Sequence, residues 1–181
     1  MDYPERVRLA LASVGIGSDL IERRSLRLCT EATGVVLAET GDDGRQFMLI
    51  PEAAQAWKDM AAAAARDGVA LGLASAFRSL DRQVEILRGK LAEGVSLDEI
   101  LRESAPPGYS EHHTGRAVDI TTPGAEALVE SFENTAAYRW LERRAGEFGF
   151  SLSFPRGNRF GYAYEPWHWF YGRGHDAPDV A

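Results

Sequence analysis

Ser110-Glu-His-His-Thr-Gly-Arg-Ala-Val-Asp119 is the stretch on which the reading of this chain turns, and Glu165-Pro-Trp-His168 completes it. Together they offer imidazoles and a carboxylate as metal ligands, with another carboxylate three residues before a histidine. A catalytic zinc site needs that inventory: three protein ligands, an open position for water and a nearby general base. Metal-assisted hydrolysis of a small amide is the chemistry these residue types imply.

His112 and Asp119 lie seven residues apart with Gly115 between them. A loop that turns at Gly115 and re-enters as a strand brings a ring nitrogen and a carboxylate oxygen to one ion at about 2.0–2.2 Å. Alternation along Ala117–Thr121 sets Ala117, Asp119 and Thr121 on one face and Val118 and Ile120 on the other. An acid in an apolar strand is costly to bury unless it is paired or metal-bound. His168, between Trp167 and Trp169, faces away from both if the segment is extended. Each residue alone has a bland explanation, a capping aspartate or a satisfied core histidine. The conjunction of His112, Asp119, Glu165 and His168 favours the metal. His113 points opposite to its neighbour in an extended segment, and spacing does not choose between the two histidines. His175, in the polar tail, is expected to be solvated.

Working outward, residues 5–14 suggest a short amphipathic helix, and residues 25–30, 35–40 and 46–50 suggest a small antiparallel meander turning at Gly41-Asp-Asp-Gly44. Pro51 stands where a helix begins and Asp67-Gly68 where it stops, with the run Ala61 to Ala65 as its closely packed face. A buried strand is expected over 69–77 and helices over 80–90 and 97–103. Pro106-Pro107-Gly108 makes a stiff loop that aims the histidine stretch. A strand over 117–121, a helix over 135–147 and strands over 149–154 and 167–171 follow. Trp167, Trp169 and Tyr171 share one face and read as packing behind His168. The fold class expected is α+β, a single domain with helices packed on a small, mostly antiparallel sheet. Its organisation is expected as an N-terminal extension over 1–45, a catalytic unit over 46–174 and a polar tail over 175–181.

The 181 residues suit one domain with a buried core, and 45% apolar with 26% charged residues is ordinary for a globular protein. A net charge of −7 argues against a nucleic-acid surface. Cys29 is the one cysteine, which rules out an intrachain disulfide and a thiolate zinc cluster, and a buried structural thiol is expected. No stretch reaches transmembrane length and the N-terminus has no apolar signal region, so a cytoplasmic place is expected as written, or a periplasmic or cell-wall one if a signal sequence was removed.

At the histidine and Glu-Pro-Trp-His stretches the chain resembles the zinc D-Ala-D-Ala carboxypeptidases of the VanY type, within the lysostaphin, D,D-carboxypeptidase and hedgehog-like metallopeptidase group. The family pattern Ser-x-His-x-x-Gly-x-Ala-x-Asp followed by Glu-Pro-Trp-His is matched by Ser110, His112, Gly115, Ala117, Asp119, Glu165 and His168. That register makes His112 the ligand and His113 a variable position. Ser75-Ala-Phe-Arg78-Ser79 with Gln83 is similar to a third family block, so the likeness spans about residues 46–172. Relatives often carry arginine where this chain has Phe170, which bears on substrate preference.

The resemblance implies one catalytic Zn2+ on His112, Asp119 and His168, with Glu165 as the proton-transfer group. It implies that Arg78 stabilises the oxyanion or grips the peptide carboxylate, and that Gln83 and Ser110 are neutral donors around the substrate. Tyr109 is a candidate for the pocket wall. The implied partner is a peptidoglycan stem peptide, cut at its terminal D-Ala-D-Ala bond. Three alternatives remain: an L,D-carboxypeptidase, an L-Ala-D-Glu endopeptidase, and a non-catalytic zinc-containing peptide-binding module. The last would lack the base or a ligand, and all four residues are present.

Overall fold

A computed structural model describes residues 1–172; His175 and the tail expected beyond it lie outside the described residues. Two helices open the chain, α1 (Tyr3–Ser13) and α2 (Ser18–Arg23), the second not foreseen. Asp2 starts α1 by accepting the Glu5 N–H on its side chain, with Pro4 in the first turn. A hairpin follows, β1 (Val36–Thr40) antiparallel to β2 (Gln46–Leu49), turning through the expected Gly-Asp-Asp-Gly segment. Helix α3 (Pro51–Arg66) starts at its proline. Trp57, Met60, Ala63 and Ala64 of α3 are buried in the main core, and the small alanines let it lie close to its neighbours.

The second sheet carries the chemistry. Its four strands are β3 (Gly72–Ser75), β4 (Ala117–Thr121), β5 (Phe150–Leu152) and β6 (His168–Tyr171), in the order β3-β4-β6-β5 with every pair antiparallel. Helices α4 (Leu80–Ala92) and α5 (Leu97–Glu103) fall between β3 and β4, and α6 (Ala136–Arg144) between β4 and β5. Each is capped by a residue of the expected type: Ser79 on α4, Ser96 with Glu99 in a reciprocal box on α5, Thr135 on α6. Ser75 pairs with Asp119 and Asp119 with His168, so these three residues form one row across the sheet. The main core packs α3, α6 and the hairpin on the sheet, with Trp169 in it and Trp167 and Tyr171 against it. A second core joins Val7, Leu11 and Ile21 to Leu80, Leu87 and Ile100.

Residues 25–30 form no strand, in contrast to the expected meander. Their alternating Leu26 and Leu28 resemble a strand locally, but the Ser25 and Leu26 N–H groups close back onto Glu22 and Ile21 of α2 at 3.0 and 3.1 Å. That of Cys29 goes to the Gly108 carbonyl at 2.8 Å, and just beyond the segment Ala32 bonds the His113 carbonyl at 2.7 Å. The segment straps the histidine turn from outside. The strand expected over 69–77 shortens to β3 because Phe77 leaves the ladder to bond the Met48 carbonyl at 2.9 Å. The helix expected over 135–147 becomes α6 followed by a 3₁₀ turn, Ala145–Phe148, which ends at left-handed Gly149. No helix among the described residues is long and apolar enough to cross a membrane.

Candidate metal centre

The histidine stretch folds as a 3₁₀ turn, Glu111–Thr114, entered at Ser110 and left through Gly115 in the left-handed region, φ +66°. That turn feeds straight into β4, whose third residue is Asp119. Across the ladder lies His168, the first residue of β6. Directly opposed residues on one face of an antiparallel pair hold their Cβ atoms about 5 Å apart. One ligand atom from each of His112, Asp119 and His168 falls within 4.8 Å of the other two, and all three side chains are buried.

Hydrogen bonds fix which nitrogen each ring presents. His112 Nδ1 lies 2.7 Å from the Ala76 carbonyl, which only a ring N–H satisfies, so Nε2 keeps its lone pair and faces Asp119 Oδ2 at 3.1 Å. His168 places Nε2 at 2.8 Å from Glu111 Oε2 and Nδ1 at 2.9 Å from Asp119 Oδ1. A metal-binding histidine characteristically donates its far N–H to a carbonyl or carboxylate in this way. Burial opposes a charge on His168, yet the Asp119 and Glu111 carboxylates prevail and push its pKa up to about 10. Burial alone would also raise Asp119, but His112 and His168 hold it well below the usual carboxylate range. The cluster therefore calls for a cation among its oxygens. A divalent metal bound by two ring nitrogens and one carboxylate oxygen would supply that cation. The donor set fits zinc.

Glu165 stands at the edge of this cluster, held by its own N–H to the Phe154 carbonyl at 3.1 Å and by its carbonyl to the His168 N–H at 3.0 Å. Its Oε2 is 3.7 Å from His168 Nδ1. Burial pushes the Glu165 carboxyl up to about 7, against the pull of His168. Arg78 follows β3: Nη1 donates to Gln83 Oε1 at 2.9 Å, Nη2 to Ser75 Oγ at 3.1 Å, and Nη2 lies 4.0 Å from Asp119 Oδ2. A guanidinium has five N–H donors, so this bracing leaves donors over.

A cavity of about 490 Å³ opens over the cluster, lined by Arg78, Ser110, His112, Asp119, Glu165 and His168 among others. Gln83 is placed elsewhere: it is wholly buried, its amide is occupied by Arg78 and by the Ala105 carbonyl at 2.8 Å, and it does not line the cavity. Gln83 holds the arginine from behind. Tyr109 packs against the second core and does not line the cavity either. Phe170 is buried opposite Ala117, off the cavity wall. Sequence reasoning passed over Glu111 and Ser153. Glu111 sits inside the quoted stretch next to His112, and that adjacency was the only signal the sequence offered; its burial at the turn appears only in the structure. Ser153 carried none.

The VanY D-alanyl-D-alanine carboxypeptidase profile matches residues 46–175. A D-alanyl-D-alanine carboxypeptidase of Enterococcus faecalis is 35% identical over 124 residues, 63% of this chain and 44% of that protein. Among solved structures, the LD-carboxypeptidase LdcB aligns with a TM-score of 0.69 at 33% identity, covering 78% of this chain and 69% of its own. A vancomycin resistance D,D-pentapeptidase VanY, solved with Zn(II), gives 0.60 at 30%, covering 82% and 88%. The chain spans less than half the length of the Enterococcus faecalis relative.

Proposed function

Because the chain belongs to the VanY family of D-alanyl-D-alanine carboxypeptidases, we propose that it is a zinc carboxypeptidase that removes the terminal D-Ala from peptidoglycan stem peptides ending in D-Ala-D-Ala. The observation that carries this reading is the convergence of His112, Asp119 and His168 beneath a cavity, with the buried Glu165 carboxyl beside them, its Oε2 3.7 Å from His168 Nδ1. His112, Asp119 and His168 would hold the zinc ion, which would supply a Lewis acid and acidify a water towards neutrality.

Glu165, as carboxylate, takes a proton from the attacking water and returns it to the leaving amine; a group whose pKa lies near the working pH serves both steps. Arg78, braced by Gln83 and Ser75, directs positive charge at the oxyanion of the tetrahedral species or at the free peptide carboxylate. Ser110, in the cavity wall, offers a neutral donor to the peptide backbone.

The likeness to LdcB supports a second reading, release of D-Ala from a tetrapeptide by L,D cleavage. Incubating the zinc-loaded protein with defined tri-, tetra- and pentapeptide stems, and weighing the products by mass spectrometry, separates the two. Loss of one D-Ala from the pentapeptide alone is expected. Conversion of tetrapeptide to tripeptide transfers the assignment to the second reading, and cleavage between L-Ala and D-Glu overturns both.

A further inference from the structure

We propose that Glu111 and Ser153 are a positioning pair that sets the tautomer of His168 and thereby the affinity of the site for its metal. The inference rests on His168 being a metal ligand. Its Nδ1 faces Asp119, and an imidazole can ligate through Nδ1 only if its proton is on Nε2. The group meeting Nε2 is Glu111 Oε2 at 2.8 Å, and a carboxylate is the acceptor that favours that tautomer most and makes the ring a stronger donor to a cation.

Ser153 completes the pair. Its Oγ donates to the same Glu111 oxygen at 2.6 Å, and its N–H reaches the His168 carbonyl at 3.4 Å. The carboxylate is therefore gripped from the far side by the residue that follows β5 (Phe150–Leu152), against the strand that carries His168. Glu111 also precedes His112 in the same 3₁₀ turn, so one turn supplies one ligand and orients another. A carboxylate this enclosed costs several kcal/mol to desolvate unless it is bonded, and the bonds it makes are aimed at the metal centre.

The test uses the full chain with Glu111→Gln and, separately, Ser153→Ala. Zinc affinity is read by competition with a chromophoric chelator, and the ligand field by the visible spectrum after cobalt(II) substitution. Melting curves of the metal-free proteins report folding. Glu111→Gln keeps an acceptor but loses the charge, and should weaken zinc binding roughly 10–100-fold and shift the cobalt bands. Ser153→Ala frees the carboxylate to rotate and should weaken binding by about threefold to tenfold. Zinc affinity within twofold of the parent in a folded Glu111→Gln protein overturns the proposal. If that variant does not fold, an unchanged affinity in Ser153→Ala overturns it instead. No substrate enters these measurements, so failure of the carboxypeptidase reading is seen separately, and a parent that binds no zinc condemns the metal reading itself.

Discussion

His113 donates from Nδ1 to the main-chain oxygen of Arg78 across 2.7 Å, while its Nε2 accepts the Gly108 N–H at 3.0 Å. Adjacent histidines thus have opposite duties. His112 turns its far nitrogen towards Asp119 in the candidate metal cluster, and His113 ties the end of β3 to the loop ahead of the histidine turn. Resemblance labelled His113 a variable position; in this chain it is a wholly buried clasp.

That clasp predicts a pH effect. Burial lowers the His113 imidazole from 6.5 to about 4, so between those values the unfolded chain takes up a proton that the folded one refuses. Its stabilising contribution is complete above about 6.5, falls as the pH drops towards 4, and amounts to at most ~3 kcal/mol. Urea midpoints from pH 7.5 to 4.5 should fall more steeply for the parent than for His113→Gln. Parallel slopes would refute the assignment.

Glu165→Gln should retain about one equivalent of zinc while losing about 10²–10⁴ in kcat, the range of a general acid–base group. Metal analysis beside an assay of D-Ala release checks both halves. A variant that keeps its rate removes Glu165 from the chemistry.

His112→Ala should lose zinc and activity together, because it removes a ligand whose geometry is fixed by the Ala76 carbonyl. Far-ultraviolet circular dichroism should stay close to the parent's. Full zinc occupancy in the variant would mean that the ion sits elsewhere.

Gly115→Ala should destabilise the fold by about 1–3 kcal/mol. The residue has φ +66°, and an added Cβ would lie 3.0 Å from Ile50 Cγ2, 3.2 Å from Ile50 N and 3.3 Å from Ala32 Cβ. Chemical denaturation measures the loss, and a variant as stable as the parent contradicts the tightness of that turn.

Cys29 should resist thiol reagents in the native protein. Burial, aided by Glu111, pushes its thiol up to about 12, leaving little thiolate at pH 8. A disulfide-exchange reagent should label it slowly until denaturant is added. Immediate native labelling would show that residues 25–30 open readily.

What could be read in advance divides along a physical line. The candidate ligands were legible because their chemistry is rare and alternation is local, which put Asp119 on one face of β4 and His168 on one face of β6; choosing His112 over His113 took the family resemblance. Residues 25–30 misled because strand propensity is a property of neighbours in sequence, whereas their backbone N–H groups close onto the end of α2 at Ser25 and Leu26 and reach residue 108 at Cys29 instead of a neighbouring strand. Gln83 was recognised by its motif, but whether its amide met substrate or Arg78 depended on a partner five residues away and on the Ala105 loop. Glu111 escaped because nothing in its own stretch shows that His168 will arrive beside it.

Ser75, Asp119 and His168 occupy one row across β3, β4 and β6. A slip of a single residue in either pairing would turn one member of the row to the opposite face. Bound zinc is then an audit of strand alignment: a preparation could show native helix content and compactness and still betray a misthreaded sheet by its missing metal.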